Sequence, residues 1–115
     1  MSTPHTLSTK DAVKGINMFK TVDVKILGLV QNMALFQCPH CNHDTAVFGA
    51  SKRIDKVCAD HDIQKLGDIP LHPNIGDDAD RGKPTVIAEP DSSRSKAFTD
   101  IARAIGAQVN LKGLV

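Results

Sequence analysis

Tryptophan and tyrosine are absent, and aromatic residues make up only 3% of the 115 residues, all of them phenylalanine. A core must then be assembled from Ile, Val, Leu and Ala, as where helices pack on a sheet. Long apolar runs are missing as well; none approaches the ~20 residues of a membrane span. Charge of one sign is not in excess: the formal net charge is +1, which argues against a broad electrostatic surface for nucleic acid. The opening MSTPHTLSTK has no apolar segment and no arginine, so it reads as neither a secretory nor a transit peptide. Cysteine is scarce. Of three, two stand close together in Cys38-Pro39-His40-Cys41. An odd count with one tight pair argues against a disulfide framework and for metal or redox chemistry in a reducing compartment.

What is present is ordinary for a globular domain, with 41% hydrophobic and 23% charged residues. The periodicity predicts a helix from about Ser8 to Phe19, with Ser8 as cap and Ala12, Ile16 and Phe19 on one face. The β-branched run Val24 to Val30 reads as a buried strand ending in Gln31-Asn32. Ligands of open α/β sheets sit at the carboxyl ends of strands, which places Asn32 where a binding residue belongs. Residues 33–49 read as a loop holding the cysteine pair, with Phe36 and Phe48 beside it. A second helix is expected from about Ser51 to His61, its buried stripe formed by Ile54, Val57, Cys58 and His61. A strand at Ile63 to Leu66, a turn at Gly67 to Pro70 and a short helix from Pro73 to Arg81 follow, with Gly82 past its end. Thr85 to Ala88 reads as a third strand, and Asp91 or Ser92 as the cap of a last helix reaching Gly106. Gln108 to Val115 reads as a frayed tail.

This alternation implies an α/β fold with a parallel sheet and covering helices. Three strands are few for such a sheet. Cys58 reads as a small buried hydrophobe, Asp77, Asp78 and Asp80 as a solvated acidic face, His61 as a capping or packing residue, and His72 as a surface loop residue.

The spacing of Cys38 and Cys41 lets two thiolates converge on one metal ion or cluster, and soft thiolates suit zinc or iron–sulfur clusters. A [4Fe–4S] cluster usually takes four cysteine ligands, so either other residues complete the site or two chains sharing one cluster each supply a pair. The residues alone leave two other readings open. One is half a zinc ribbon with His40 or His43 as a further ligand. The other is a thioredoxin-like redox pair, although the motif lies inside a loop rather than at a helix start.

The segments LGLVQNMALFQCPHCNHDTAVFG (27–49), LGDIPLHPNI (66–75), STPHTLSTKDAVKGINMF (2–19) and GKPTVIAEPDS (82–92) closely resemble the Mrp/ApbC/NUBPL family of P-loop iron–sulfur carriers, and most of all its mitochondrial NUBPL branch. The resemblance implies the C-terminal half of a SIMIBI-type P-loop NTPase domain over residues 1–107, with 108–115 as a tail and the N-terminal half missing. It implies that Cys38 and Cys41 hold a [4Fe–4S] cluster at the interface of a homodimer, and that the cluster is delivered to apo-proteins, with a link to respiratory complex I assembly. Asn32 and Asp68, Ile69 and Pro70 would lie near the adenine of bound ATP. The branch implies the mitochondrial matrix, with the cytoplasm as the alternative.

The chain departs from the family where phosphate is bound. No Gly-x-x-x-x-Gly-Lys-Ser/Thr pattern exists, and the acidic segments that would hold magnesium are absent. Phosphoryl transfer would lose its main electrostatic support, so no ATP hydrolysis is expected of this polypeptide alone. Position 5 carries His where the family has Gln. A small structural zinc module and a non-functional truncated fragment remain the competing expectations.

Overall fold

The computed structural model describes residues 1–110. Residues 111–115, most of the tail expected from the sequence, lie outside the described residues. The elements follow in the order α1 (Thr6–Thr21), β1 (Leu29–Gln31), β2 (Phe36–Gln37), β3 (Asp44–Thr45), α2 (Lys52–Asp60), β4 (Lys65–Asp68), α3 (Pro73–Asp80), α4 (Thr85–Ala88) and α5 (Ser93–Gln108). The α/β class expected from the sequence, a parallel sheet with flanking helices, is present.

β1 and β4 pair in parallel, and Ser2 makes an isolated parallel bridge to Gln31 on the other edge of β1. Because side chains alternate across a sheet, Leu29 and Val30 feed opposite faces. Leu29 joins Ile16, Ile54, Val57 and Cys58 beneath α1 and α2. Val30 joins Ile69 and Ile101, with Phe98 and Ile105 of α5 packed against them. The sheet is thus the middle of three layers. Gly67 allows the lower layer to close: a Cβ there would lie 2.7 Å from Cγ1 of Ile101, so a side chain would push α5 away.

Several boundaries differ from the sequence reading. β1 starts at Leu29 rather than Val24, because only there does a partner backbone lie alongside; the Leu29 amide donates to the Gln64 carbonyl at 2.8 Å. Gly67 and Asp68 belong to strand β4, not to a turn. The expected third strand at Thr85 to Ala88 is a single helical turn, α4. The carbonyl of Pro84 accepts the amides of Ile87 and Ala88 at 2.8 and 3.0 Å, and Thr85 Oγ1 donates to Asp78 Oδ2 at 3.3 Å. Asp78 is correspondingly no part of a solvated acidic face. It is 1% exposed, and Arg81 pairs with its other oxygen at 2.5 Å.

Helix ends are closed by side chains that the periodicity only partly identified. His5, not Ser8, caps α1, its Nδ1 accepting the Leu7 amide at 3.1 Å. His72 caps α3 by accepting the Asn74 amide through Nδ1 at 3.1 Å, with Pro73 at the first helical position, where its missing N–H costs nothing. Ser92 caps α5. α5 runs on to Gln108, whose Nε2 donates to the Leu27 carbonyl at 3.0 Å.

Candidate metal centre

The loop expected over residues 33–49 contains a small antiparallel hairpin, β2 paired with β3. Cys38 to Asn42 form its tip. The Cys38 amide donates to the His43 carbonyl and the Asn42 amide to the Cys38 carbonyl, both at 2.9 Å. Asn42 has a φ of 58°, a left-handed conformation that Asn tolerates better than most residues. The tip therefore folds back so that main-chain N–H groups face the first cysteine sulfur.

The chemistry of the pair follows from that turn. The backbone N–H groups of Cys41 and then His40 point at Cys38 Sγ, the Cys41 thiol adds a third contact, and together they hold the Cys38 thiol below its usual pKa. Hydrogen bonds to a thiolate favour the charged form, which is the form that binds metal. Cys38 is half-buried and Cys41 exposed, so ligands are offered outward from the hairpin. Among the described residues no three His, Cys, Asp or Glu side chains gather where they could hold a metal ion. Among the described residues neither His40 nor His43 is placed as a third ligand beside Cys38 and Cys41.

Cys58 stands apart. It is buried in the core beneath α1 and α2, and burial, helped by the charge of Asp55, pushes its thiol up.

The other expected site residues lie at the carboxyl end of the sheet. Asn32 follows β1 directly; its Oδ1 accepts the Met33 amide at 2.9 Å, so part of its hydrogen-bonding capacity serves a local turn. Asp68 closes β4 with an exposed carboxylate. Ile69 is 2% exposed and serves the core. Its amide donates to the Gln31 carbonyl at 2.8 Å, and its carbonyl accepts the Ala34 amide at 3.0 Å. Pro70 lines a cleft of about 240 Å³ with Leu35, Gln37, His72 and Arg94, between the cysteine hairpin and the start of α5.

One residue escaped the sequence reading. Gln31 is fully buried, and its Nε2 donates to Ser51 Oγ at 2.9 Å and to Asp68 Oδ1 at 2.8 Å. It ties both strands to the start of α2. A polar residue ending an apolar strand was the available signal. Nearby, Gly49 has φ 114°, and a Cβ there would sit 2.3 Å from Arg53 Nη1; the absent side chain gives Arg53 its path to the Pro4 carbonyl.

The profile of the family described as ParA, NUBPL iron-transfer P-loop NTPase, matches residues 1–106. The chain belongs to that family. Among NUBPL-type relatives, the iron-sulfur cluster transfer protein NUBPL of Dictyostelium discoideum is 42% identical over 111 residues, covering 96% of this chain and 34% of the relative. The iron-sulfur protein required for NADH dehydrogenase, mitochondrial, of Arabidopsis thaliana is 41% identical over 105 residues, covering 91% of this chain and 33% of the relative. The chain thus spans about a third of the length of the curated NUBPL relatives it matches. The septum site-determining protein MinD of Pyrococcus horikoshii superposes with a TM-score of 0.71 at 21% identity, covering all of this chain and 43% of MinD. That likeness fixes the fold: the parallel strands and covering helices of this NUBPL-family chain are those of a P-loop NTPase sheet.

Proposed function

We propose that the chain carries an iron–sulfur cluster of the [4Fe–4S] type as cargo, held by Cys38 and Cys41 together with the same pair from a second copy, and passes it to apo-proteins. The observation that carries this reading is the two-sulfur half-site: an outward-facing pair whose first sulfur is stabilised as thiolate by main-chain N–H groups, with no third ligand beside it among the described residues. Soft thiolates are the donor set a cluster requires, and an isologous pairing of two such hairpins supplies four. Transfer is ligand exchange. Thiolates of the recipient replace those of Cys38 and Cys41, and no electron need move.

The names of the Dictyostelium and Arabidopsis relatives support the cargo, and the Arabidopsis name supports a link to the assembly of NADH dehydrogenase. The Arabidopsis name supports the mitochondrion, and we place the chain in the matrix; the cytoplasm is the alternative. Membership of a P-loop NTPase family supports a nucleotide at the carboxyl end of the sheet, near Asn32, Asp68 and Pro70, with Ile69 contributing from the core. The residues here do not complete an ATP site, because no phosphate-loop pattern exists in the chain. Hydrolysis by this polypeptide alone is not expected.

Anaerobic reconstitution with ferrous iron and sulfide tests the reading. About four iron and four sulfide per two chains, with dimer mobility in size exclusion, is the expected result. Cys38→Ser and Cys41→Ser should each abolish cluster binding without changing the melting temperature. A monomer with a complete cluster, or a colourless protein that takes up only zinc, would overturn it.

A further inference from the structure

Cys38 and Cys41 bracket a single tight turn. Pro39 opens it with its ring-fixed φ, and Asn42 closes it at φ 58°. The bond from the Asn42 amide to the Cys38 carbonyl, 2.9 Å long, has the i+4 to i spacing of one helical turn. Residues three apart across a tight turn have Cα atoms within about 7 Å, and a disulfide spans Cα atoms about 4.4–6.8 Å apart. The Cys41 thiol already makes a hydrogen-bond contact with Cys38 Sγ. The Cys38 main chain is pinned from both sides, since its amide also donates to the His43 carbonyl at 2.9 Å. Joining the two sulfurs therefore asks for rotation of side chains, not for refolding of the hairpin. Cys41 is exposed and Cys38 half-buried. Cys58 lies in the core beneath α1 and α2 and offers no competing partner.

We infer that, when it carries no cluster, this pair is a reversible dithiol–disulfide couple that reacts with small disulfides of the glutathione class, and that its oxidised form refuses the cargo. The couple stands on the geometry of the turn; the refusal rests on the cluster reading given above. The exchange runs in two displacements. The exposed Cys41 sulfur, as thiolate, attacks one sulfur of the small disulfide. That S–S bond breaks, one small thiol leaves, and a mixed disulfide forms on Cys41. Cys38 Sγ, held against Cys41 by the turn, then attacks Cys41 Sγ. The mixed disulfide breaks, the second small thiol leaves, and the Cys38–Cys41 bond forms. Two electrons pass from the cysteine pair to the small disulfide, and the two cysteine protons end on the two released thiols. An S–S bond leaves neither sulfur available as thiolate, the form that binds metal. The couple thus sets what fraction of the chain can be loaded.

The full chain, reduced and then held anaerobically in buffers of rising glutathione disulfide to glutathione ratio, tests this. After acid quenching and alkylation, two of the three thiols should disappear together. The intact mass should fall by two hydrogens, with no glutathione retained and with monomer mobility on a non-reducing denaturing gel. Dithiothreitol should restore both thiols. Cys38→Ser should stop at the mixed disulfide and keep one glutathione on Cys41. Three free thiols at the most oxidising ratio would overturn the inference. So would a glutathione adduct that persists on the wild-type chain, or a bond that forms only between two copies. Cadmium alone, a soft ion that thiolates take up, reads the refusal without a reductant. Its thiolate absorption should appear on the reduced chain and vanish from the oxidised one; equal absorption on both would overturn the refusal. Iron and sulfide loading of the reduced chain is measured apart. Its failure would defeat the cluster reading and leave the disulfide couple standing.

Discussion

Gln31 donates to Asp68 at 2.8 Å and so joins the carboxyl ends of the two parallel strands. The same Nε2 donates to Ser51, while Oε1 is buried without a partner. The amide orientation is set by Asp68, since the reverse would turn an oxygen on a carboxylate. Gln31→Glu places a second carboxylate at a fully buried position facing the first. It should cost about 1–3 kcal/mol in urea unfolding. Gln31→Glu combined with Asp68→Asn exchanges the roles of acid and amide and should recover most of that loss. Equal stability of the single and double variants would show that the contact does not hold the strand ends.

The three thiols should separate by reactivity. Cys38 is held below its usual pKa by main-chain N–H groups and Cys41, so its alkylation should reach half its maximal rate below the ~8.5 of a free thiol. Cys58, pushed up by burial, should react only on unfolding. The folded form of Cys58 keeps its proton to a higher pH than the unfolded form, so its contribution is full below the ordinary thiol pKa and is lost as pH rises past about 8.5. Cys58→Ala should be less stable at neutral pH and should flatten that alkaline decline. Iodoacetamide labelling read by mass spectrometry, with urea melts from pH 7 to 10, measures both effects.

The helices α1, α2 and α5 were legible because buried helices announce themselves by spacing. Ile54, Val57 and Cys58 of the α2 stripe are buried, while His61 at its end is half-buried and forms the C-cap. The cysteine pair was legible because its spacing is local. Thr85 to Ala88 was not, because β-branched residues describe a fit to a pleated surface, and no strand lies beside them. Val86 and Ile87 are exposed instead, and Thr85 is spent on Asp78. The burial of Asp78 was equally invisible, since Thr85, which holds one of its oxygens, lies seven residues away beyond the end of α3. The hairpin around Cys38 and Cys41 rests on main-chain bonds that leave no period, and Gln31 matters only through two segments distant in sequence.

Ser92 holds the start of α5 in two ways. Its Oγ accepts the Ser95 amide at 3.1 Å and donates to the Glu89 carbonyl at 2.8 Å. Ser92→Ala removes both, and loss of such a cap costs about 1–2 kcal/mol. Ser92→Asp keeps the acceptor and suits the positive end of the helix. It should lie between wild type and alanine, because the bond to Glu89 is lost. Thermal melts of the three proteins at one pH decide it.

Gly67 and Ile101 should prove to be a coupled pair. A Cβ on Gly67 would meet Ile101 Cγ1 at 2.7 Å and Cδ1 at 3.2 Å, and Ile101 is 8% exposed, with little room to swing aside. Gly67→Ala therefore overpacks the contact between β4 and α5, at about 1–3 kcal/mol. Ile101→Ala empties the same space and should cost about 2–5 kcal/mol. In the double variant the new methyl group occupies part of the space that isoleucine left, so the combined loss should fall short of the sum by about 0.5–3 kcal/mol. Strict additivity in a urea double-mutant cycle would mean that the two layers can slide apart, and that the glycine is not what lets α5 seat against the sheet.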